Sequence, residues 1–133
     1  MSVEKFELHV KTHFDAAHYI KDYVGKCGRE HGHRWEVEAV LEGSRLDKRN
    51  MLVDFAQVKK AMNGLIDTML DHQQLNEQFA EPNVTAEFLA RYVYGQLRSS
   101  LCEIREGLRL VRTCIWESPD CCVKYYQEGG DEC

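Results

Sequence analysis

The chain has 133 residues, of which 44% are hydrophobic and 29% charged, a balance typical of one soluble globular domain. Its 17 basic and 22 acidic side chains give a formal charge of -5 with the signs interspersed, which argues against a nucleic acid partner. No apolar run approaches the roughly 18 residues of a membrane helix, and residues 1–8 do not resemble a signal peptide, so we expect a cytoplasmic protein without membrane contact.

The six cysteines do not form a disulfide pattern. Their spacing is irregular, two are adjacent, and an export signal is not evident, so we expect free thiols. The adjacent pair lacks the matching Cys-x-x-Cys element of a typical zinc site, and we interpret it as structural or incidental. The cysteines are Cys27, Cys102, Cys114, Cys121, Cys122 and Cys133.

Two segments near the start alternate apolar and polar residues with the period of a half-buried strand. In the first, from Phe6 to His18, the even positions are mostly apolar and that face ends at His18. In the second, over residues 31–42, the apolar face begins with His31 and His33. The pattern therefore predicts two strands whose inward faces both carry histidine at one end.

Two later segments have the spacing of amphipathic helices. Between Asp54 and Leu70 the apolar residues follow a helical period, Asp54 is the predicted N-cap, and Gln57 completes a capping box. The second segment opens at residues 82–85 and continues to Leu101, with Glu87 placed favourably in its first turn. We therefore predict two helices in succession.

The rest of the chain predicts two further strands. Residues 108–117 and 122–126 have strand patterns, and the turn-forming residues 118–120 join them. Two strands, two helices and two strands in sequence indicate an α+β fold with an antiparallel sheet. We assign residues 1–126 to a single domain and residues 127–133 to a polar C-terminal tail.

The histidines at the strand ends form a candidate metal site. His31 and His33 are two residues apart, so both side chains leave the same face of an extended strand. If the first two strands pair antiparallel, His18 lies close to His31. Taken singly, each could be an ordinary core or strand histidine. Together they match the three-imidazole ligand set of catalytic zinc, and we interpret them as a zinc site.

Cys27 lies in a glycine-rich, charged loop four residues before His31. Basic neighbours at Lys26 and Arg29 and a nearby metal would favour the thiolate, which could act as nucleophile or base. The alternative is an inert buried thiol, which such a loop makes less favourable. Lys26 and Arg29 could contact phosphate, or they could simply be solvated.

Three further residues are candidates for proton transfer or ligand binding. Asp71 precedes His72, and an aspartate can hold a histidine tautomer for proton transfer. Adjacent residues on a helix do not face each other, however, so an ordinary histidine at a helix end is an equal alternative. Glu117 ends the apolar face of the third strand, where it could bind a guanidine-like ligand edge or be a plain exposed strand end.

These segments together resemble the 6-pyruvoyltetrahydropterin synthase superfamily, and most closely its queuosine-pathway branch. Residues 14–18 are similar to the family's first zinc motif, and residues 27–33 to its Cys-x-x-x-His-Gly-His element. Residues 70–76 resemble the Leu-Asp-His-x-x-Leu-Asn motif. Further matches are residues 51–55, the altered loop 82–87 that contains Thr85, and residues 116–118 with the late pterin-anchoring glutamate.

The resemblance implies a T-fold, in which a four-stranded antiparallel sheet is backed by two helices on one face. It also implies that trimers close a barrel and stack as a homohexamer, with active sites between subunits. The zinc ligands and Cys27 would come from one chain, and Asp71 and His72 from its neighbour.

The implied substrate is 7,8-dihydroneopterin triphosphate, and the implied product a 6-carboxy-tetrahydropterin. Zinc would bind the side-chain hydroxyls, Cys27 would move the side-chain proton, and Asp71 with His72 would relay protons. Glu117 would bind the pterin edge, and Thr85, Lys26 and Arg29 would be further substrate contacts. The nearest rival is the pyruvoyl-forming reaction. Only three residues separate Cys27 from His31, a shorter gap than is usual in the pyruvoyl-forming branch of the family, and this spacing favours the carboxy product. A non-catalytic zinc-binding or pterin-binding module is a second rival.

Overall fold

The first two alternating segments pair with each other as an antiparallel hairpin at one side of a four-stranded sheet. The computed structural model describes residues 2–129. In chain order the elements are β1 (Phe6–His18), a 3-10 turn (Lys26–Gly28), β2 (His31–Gly43), α1 (Phe55–Met69), α2 (Leu75–Gln78), α3 (Ala86–Ile104), β3 (Arg109–Ser118) and β4 (Cys121–Tyr125). The sheet order is β1-β2-β3-β4 and each neighbouring pair is antiparallel.

The core lies between one face of the sheet and the two long helices. Trp35 of β2 is fully buried, and Phe14 of β1 stacks on it. Helix α1 packs on β1, whereas α3 packs on β3, β4 and α1. The outer face of β1 is polar, with His9 and His13 exposed as the alternation predicts. The predicted α+β fold with two helices on one face of the sheet is confirmed.

Both long helices begin with a side-chain N-cap, which was predicted at Asp54 and which the structure places at Thr85 for the second helix. The Asp54 carboxylate accepts a hydrogen bond from the Ala56 amide at 2.8 Å, and the Thr85 hydroxyl accepts one from the Phe88 amide at 3.1 Å. Because the Asp54 side chain caps Ala56 rather than Gln57, its cap differs from the predicted capping box.

The sequence pattern missed α2, a single helical turn in which the Glu77 amide donates to the Gln74 side chain. Four residues are too few to establish a helical period, so no such pattern was available. Strands β3 and β4 are each displaced by one residue from the predicted bounds. Of the predicted tail, residues 130–133 lie outside the described residues, and the division at residue 126 stays a prediction.

The four cysteines whose side chains the structure describes divide into two groups. Cys114, Cys121 and Cys122 are free thiols, as expected. Cys102 is in a disulfide, so the expectation of free thiols is wrong at that residue. Cys133 and the side chain of Cys27 lie outside the part of the chain that the structure describes. Within residues 2–129, no helix is long and apolar enough to cross a membrane.

Candidate metal centre and active site

Three imidazoles converge at the end of the β1–β2 hairpin where the connecting loop joins the two strands. The antiparallel register places His18 opposite His31, and Ala16 opposite His33. Nε2 of His18 lies 3.0 Å from Nε2 of His31 and 3.2 Å from Nε2 of His33. The predicted convergence of these side chains is therefore present in the folded chain.

The outer ring nitrogens fix which atoms face the centre. Nδ1 of His18 donates to the Val84 carbonyl at 2.7 Å, and Nδ1 of His31 donates to the Arg29 carbonyl at 2.8 Å. In the tautomer that these hydrogen bonds require, the lone pairs of Nε2 point toward each other. Lone pairs this close repel unless a proton or a cation lies between them. The arrangement is therefore suited to a metal ion, with backbone carbonyls orienting the ligands.

Burial keeps two of these imidazoles neutral. His18 is only 1% exposed, and burial lowers its pKa below the ordinary histidine value, with the nearby His31 adding to the effect. The pKa of His33 is also lowered, first by burial and then by His18. Neutral imidazole is the form that binds a metal, so the protein environment favours the binding state near neutral pH.

Glu117 joins the imidazole cluster from the end of β3. Its Oε1 lies 3.4 Å from Nε2 of His18 and 3.8 Å from Nε2 of His33. One ligand atom from each of the four residues lies within 4.8 Å of the others. The strand alternation placed Glu117 on the inward face, but it could not show that β3 ends beside the histidines, because that depends on the register with β2.

Asn76 holds the segment around His18 in place and was not singled out by the sequence. It is 4% exposed, accepts from the Tyr19 amide at 2.9 Å and donates to the Tyr19 carbonyl at 3.0 Å. It also donates to the carbonyls of Glu81 and Pro82 at 3.2 and 3.0 Å. These bonds tie the residue after His18 to the segment that leads to Val84, whose carbonyl holds the His18 ring. The position of Asn76 at the end of the 70–76 motif was the sequence feature that could have indicated its role.

Asp71 and His72 form a separate pair at the outer edge of β1. Oδ2 of Asp71 lies 2.8 Å from Nδ1 of His72, and Oδ1 accepts the Asp15 amide at 3.0 Å. The His72 amide donates to the Asp15 carbonyl at 2.7 Å. The backbone of His72 has left the helix, with φ at 57°, and this turns the ring back onto the carboxylate. The pairing that adjacent helical residues could not make is therefore formed.

Hydrogen bonds also favour the ionised form of Asp71. The Asp15 amide and then His72 lower the pKa of Asp71, so the carboxylate is ionised near neutral pH. The His72 side chain is 81% exposed. Within one chain, the structure does not bring Asp71 and His72 into the cluster of His18, His31 and His33.

The Cys27 loop folds as a single 3-10 turn, in which the Gly28 amide donates to the Gly25 carbonyl. A Cβ at Gly28 would collide with the Tyr23 carbonyl, so this position requires glycine. Lys26 and Arg29 are exposed and border an open cavity of about 490 Å³. The predicted phosphate contacts are therefore accessible.

Comparison with known proteins agrees with this arrangement. Residues 7–128 match the family model for 6-pyruvoyl tetrahydropterin synthase. A Bacillus subtilis protein named 6-carboxy-5,6,7,8-tetrahydropterin synthase is 31% identical over 129 residues, covering 94% of this chain and 88% of the relative. A Synechocystis protein of the same name is 28% identical over 105 residues, covering 76% of this chain and 81% of the relative.

A solved structure shares the fold. The 6-pyruvoyl tetrahydropterin synthase of Caenorhabditis elegans superposes with a TM-score of 0.79 at 23% sequence identity, covering 96% of this chain and 99% of the other. The family match spans β1 to β4 and includes all three converging histidines. The chain therefore belongs to the 6-pyruvoyl tetrahydropterin synthase family.

Proposed function

We propose that this protein converts 7,8-dihydroneopterin triphosphate to 6-carboxy-5,6,7,8-tetrahydropterin, with loss of triphosphate and acetaldehyde, as a zinc-dependent lyase of queuosine biosynthesis. The observation that carries the proposal is the convergence of His18, His31 and His33 at one end of the β1–β2 hairpin. The names of the Bacillus and Synechocystis relatives support the carboxy product.

Zinc fits the three imidazoles better than a hard cation does. Zn–N bonds of about 2.0–2.1 Å in a tetrahedron would separate the nitrogens by about 3.3 Å. The observed separations of 3.0 and 3.2 Å are close to that edge length. Bound there, zinc would act as a Lewis acid on the substrate's side-chain hydroxyls and raise the acidity of the neighbouring C–H.

Proton transfer would then be shared between Cys27 and the Asp71–His72 pair. Cys27 lies in the turn just before His31, and as a thiolate it would take the side-chain proton. Asp71 holds Nδ1 of His72, which leaves Nε2 free to accept or donate a proton. The exposure of His72 supports a role at the site of a neighbouring subunit.

The remaining predicted contacts would bind the substrate. Glu117 would pair with the N–H groups of the pterin edge. Lys26 and Arg29 supply two exposed positive charges for the triphosphate. Thr85 is the N-cap of α3, and its hydroxyl hydrogen stays available for a ligand.

We also propose that the active form is a homohexamer, a dimer of trimers, in the cytoplasm. The terminal strands β1 and β4 are the edges of the described sheet, and edge strands are natural sites for pairing with another subunit. Such an assembly would bring the Asp71–His72 pair of one chain toward the histidine cluster of the next.

Product analysis tests the proposed function. The zinc-loaded protein is incubated with 7,8-dihydroneopterin triphosphate, and the products are identified by mass spectrometry. We expect 6-carboxy-tetrahydropterin, acetaldehyde and triphosphate in equal amounts. If the pyruvoyl-tetrahydropterin is the sole pterin product, the branch assignment is wrong, and if no product forms the lyase assignment is wrong.

A further inference from the structure

We infer that the Glu117 carboxylate is the fourth ligand of the zinc in the resting protein, and that pterin binding withdraws it and so opens the metal. The inference rests on the proposed function, because it needs both a zinc ion and a pterin at this site. It gives one residue two successive roles, first on the metal and then on the substrate.

The position of Glu117 matches a fourth vertex of the metal site. Its Oε1 is 3.4 Å from Nε2 of His18 and 3.8 Å from Nε2 of His33. A zinc tetrahedron with bonds near 2.0–2.1 Å has edges of about 3.3 Å, so these separations suit a carboxylate bound beside the imidazoles. The carboxylate oxygen therefore lies where a fourth ligand of the same ion would be.

Glu117 also differs from the histidines in how it is held. The rings of His18 and His31 are fixed from behind by the carbonyls of Val84 and Arg29. Among residues 2–129, the polar partners of the Glu117 carboxylate are His18 and His33, both on the metal side. Its side chain is 38% exposed. Unlike His18 and His31, Glu117 can therefore leave the metal without breaking a second anchor.

The two roles compete. A pterin edge presents adjacent N–H groups, and a carboxylate that binds them as a bidentate pair directs both of its oxygens toward that edge. Each oxygen keeps a second lone pair, but this orientation draws Oε1 away from the metal and weakens its bond to it. A metal whose fourth position is occupied by Glu117 would bind small anions weakly until a pterin binds. Pterin binding would then free the coordination position that the substrate's own side-chain hydroxyls need.

The test uses the protein loaded with Co(II), whose visible absorption reports ligand exchange, and azide as the probe anion. Azide is titrated into the wild type, Glu117→Ala and Glu117→Gln. Asp120→Asn is the matched control, because Asp120 is an exposed acid three residues away whose side chain is not part of the cluster. We expect azide to bind at least about tenfold more tightly to both Glu117 variants, and Asp120→Asn to stay within about twofold of the wild type.

A second arm adds pterin without a side chain at C6, so that only the ring edge can bind. At saturating pterin, the wild type should bind azide as tightly as Glu117→Ala does without pterin. Equal azide affinity in the wild type and Glu117→Ala would overturn the inference, as would a wild-type azide affinity that pterin leaves unchanged. These titrations do not involve turnover, so their failure is distinct from a failure to form the carboxy product.

Discussion

Asp71 lies 2.8 Å from the His72 ring although the two residues are adjacent in sequence, because the backbone turns sharply after α1. Asp71→Asn presents an amide N–H to Nδ1 of His72 and favours the wrong tautomer for proton transfer. We expect kcat to fall by a factor of about 10² to 10⁴. Zinc content should not change, because the pair lies apart from the three imidazoles.

The control for Asp71→Asn is Glu7→Gln. Glu7 also contacts a histidine, His9, at 2.9 Å, but on the polar outer face of β1. Steady-state kinetics should show wild-type turnover for this variant. Turnover of Asp71→Asn at the wild-type rate would contradict the relay and favour an ordinary histidine at a helix end.

Cys27→Ala separates catalysis from binding. The change removes the proposed base but none of the three histidines, so we expect kcat to fall by about 10² or more while zinc stoichiometry and pterin affinity persist. Cys121→Ala, which removes an exposed free thiol of β4, is the control and should be fully active. Unchanged turnover in Cys27→Ala would make Cys27 a spectator, as in a non-catalytic module.

Asn76→Ala should weaken both the fold and the metal site. It removes a buried side chain that bonds to Tyr19, Glu81 and Pro82, so the free energy of unfolding should fall by about 1–3 kcal/mol. Because these bonds position the Val84 carbonyl behind His18, zinc affinity should also fall by about tenfold or more. Denaturant unfolding and chelator competition measure the two effects.

Thr113→Val is the matched control for Asn76→Ala. Thr113 is also buried and donates to the Ala90 carbonyl at 2.8 Å, but that bond joins β3 to α3. This variant should lose stability and keep its zinc affinity. If the two variants affect zinc equally, the effect of Asn76 is general destabilisation rather than positioning.

The metal-free protein should lose stability in mild acid. The folded chain lowers the pKa of His18 and His33, so below the ordinary histidine pKa near 6.5 the unfolded chain binds protons that the folded chain does not. The free energy of unfolding therefore falls as the pH falls from 7.5 to 5.5, by at most about 1.4 kcal/mol per pH unit for each proton. Urea unfolding after removal of the metal measures this slope.

Substituting the buried histidine gives the control for that slope. His18→Asn lacks the group that titrates, so its stability should depend less on pH over the same interval. An equal slope in the variant and the wild type would assign the acid sensitivity to other groups.

Cys114 should resist alkylation. It is fully buried on β3, and burial raises the pKa of its thiol to about 11, so little thiolate is present at pH 8. Cys121 and Cys122 are exposed free thiols and should react first with iodoacetamide. Peptide mass spectrometry after a short exposure measures the labelling, and rapid labelling of Cys114 in the folded protein would contradict this prediction.

The strands and long helices were predictable because their signals are local and periodic. Strand alternation over residues 6–18 and 31–42 assigned each side chain to a face, and the helical period marked α1 and α3. The one-turn helix α2 has too few residues for a period. The disulfide at Cys102 was missed because spacing alone does not establish a disulfide.

The candidate site was predictable in part. The convergence of His18 with His31 follows from an antiparallel hairpin, which the sequence suggests but which only strand pairing forms. The pairing of Asp71 with His72 needed the left-handed backbone at His72, and periodicity at the end of a helix does not indicate it. Asn76 acts through backbone groups far apart in sequence, and such contacts leave no local pattern.

By itself the sequence determined that three histidines share the inward face of two strands, because side chains alternate along a strand with a period of two. Tertiary structure decided which other groups lie beside the three histidines. The register of β3 against β2 brings the Glu117 carboxylate beside the imidazoles, and the Asn76 bonds bring the Val84 carbonyl behind His18. Spacing along the chain controls the face of a residue, whereas distances between elements follow from the packing of the whole core.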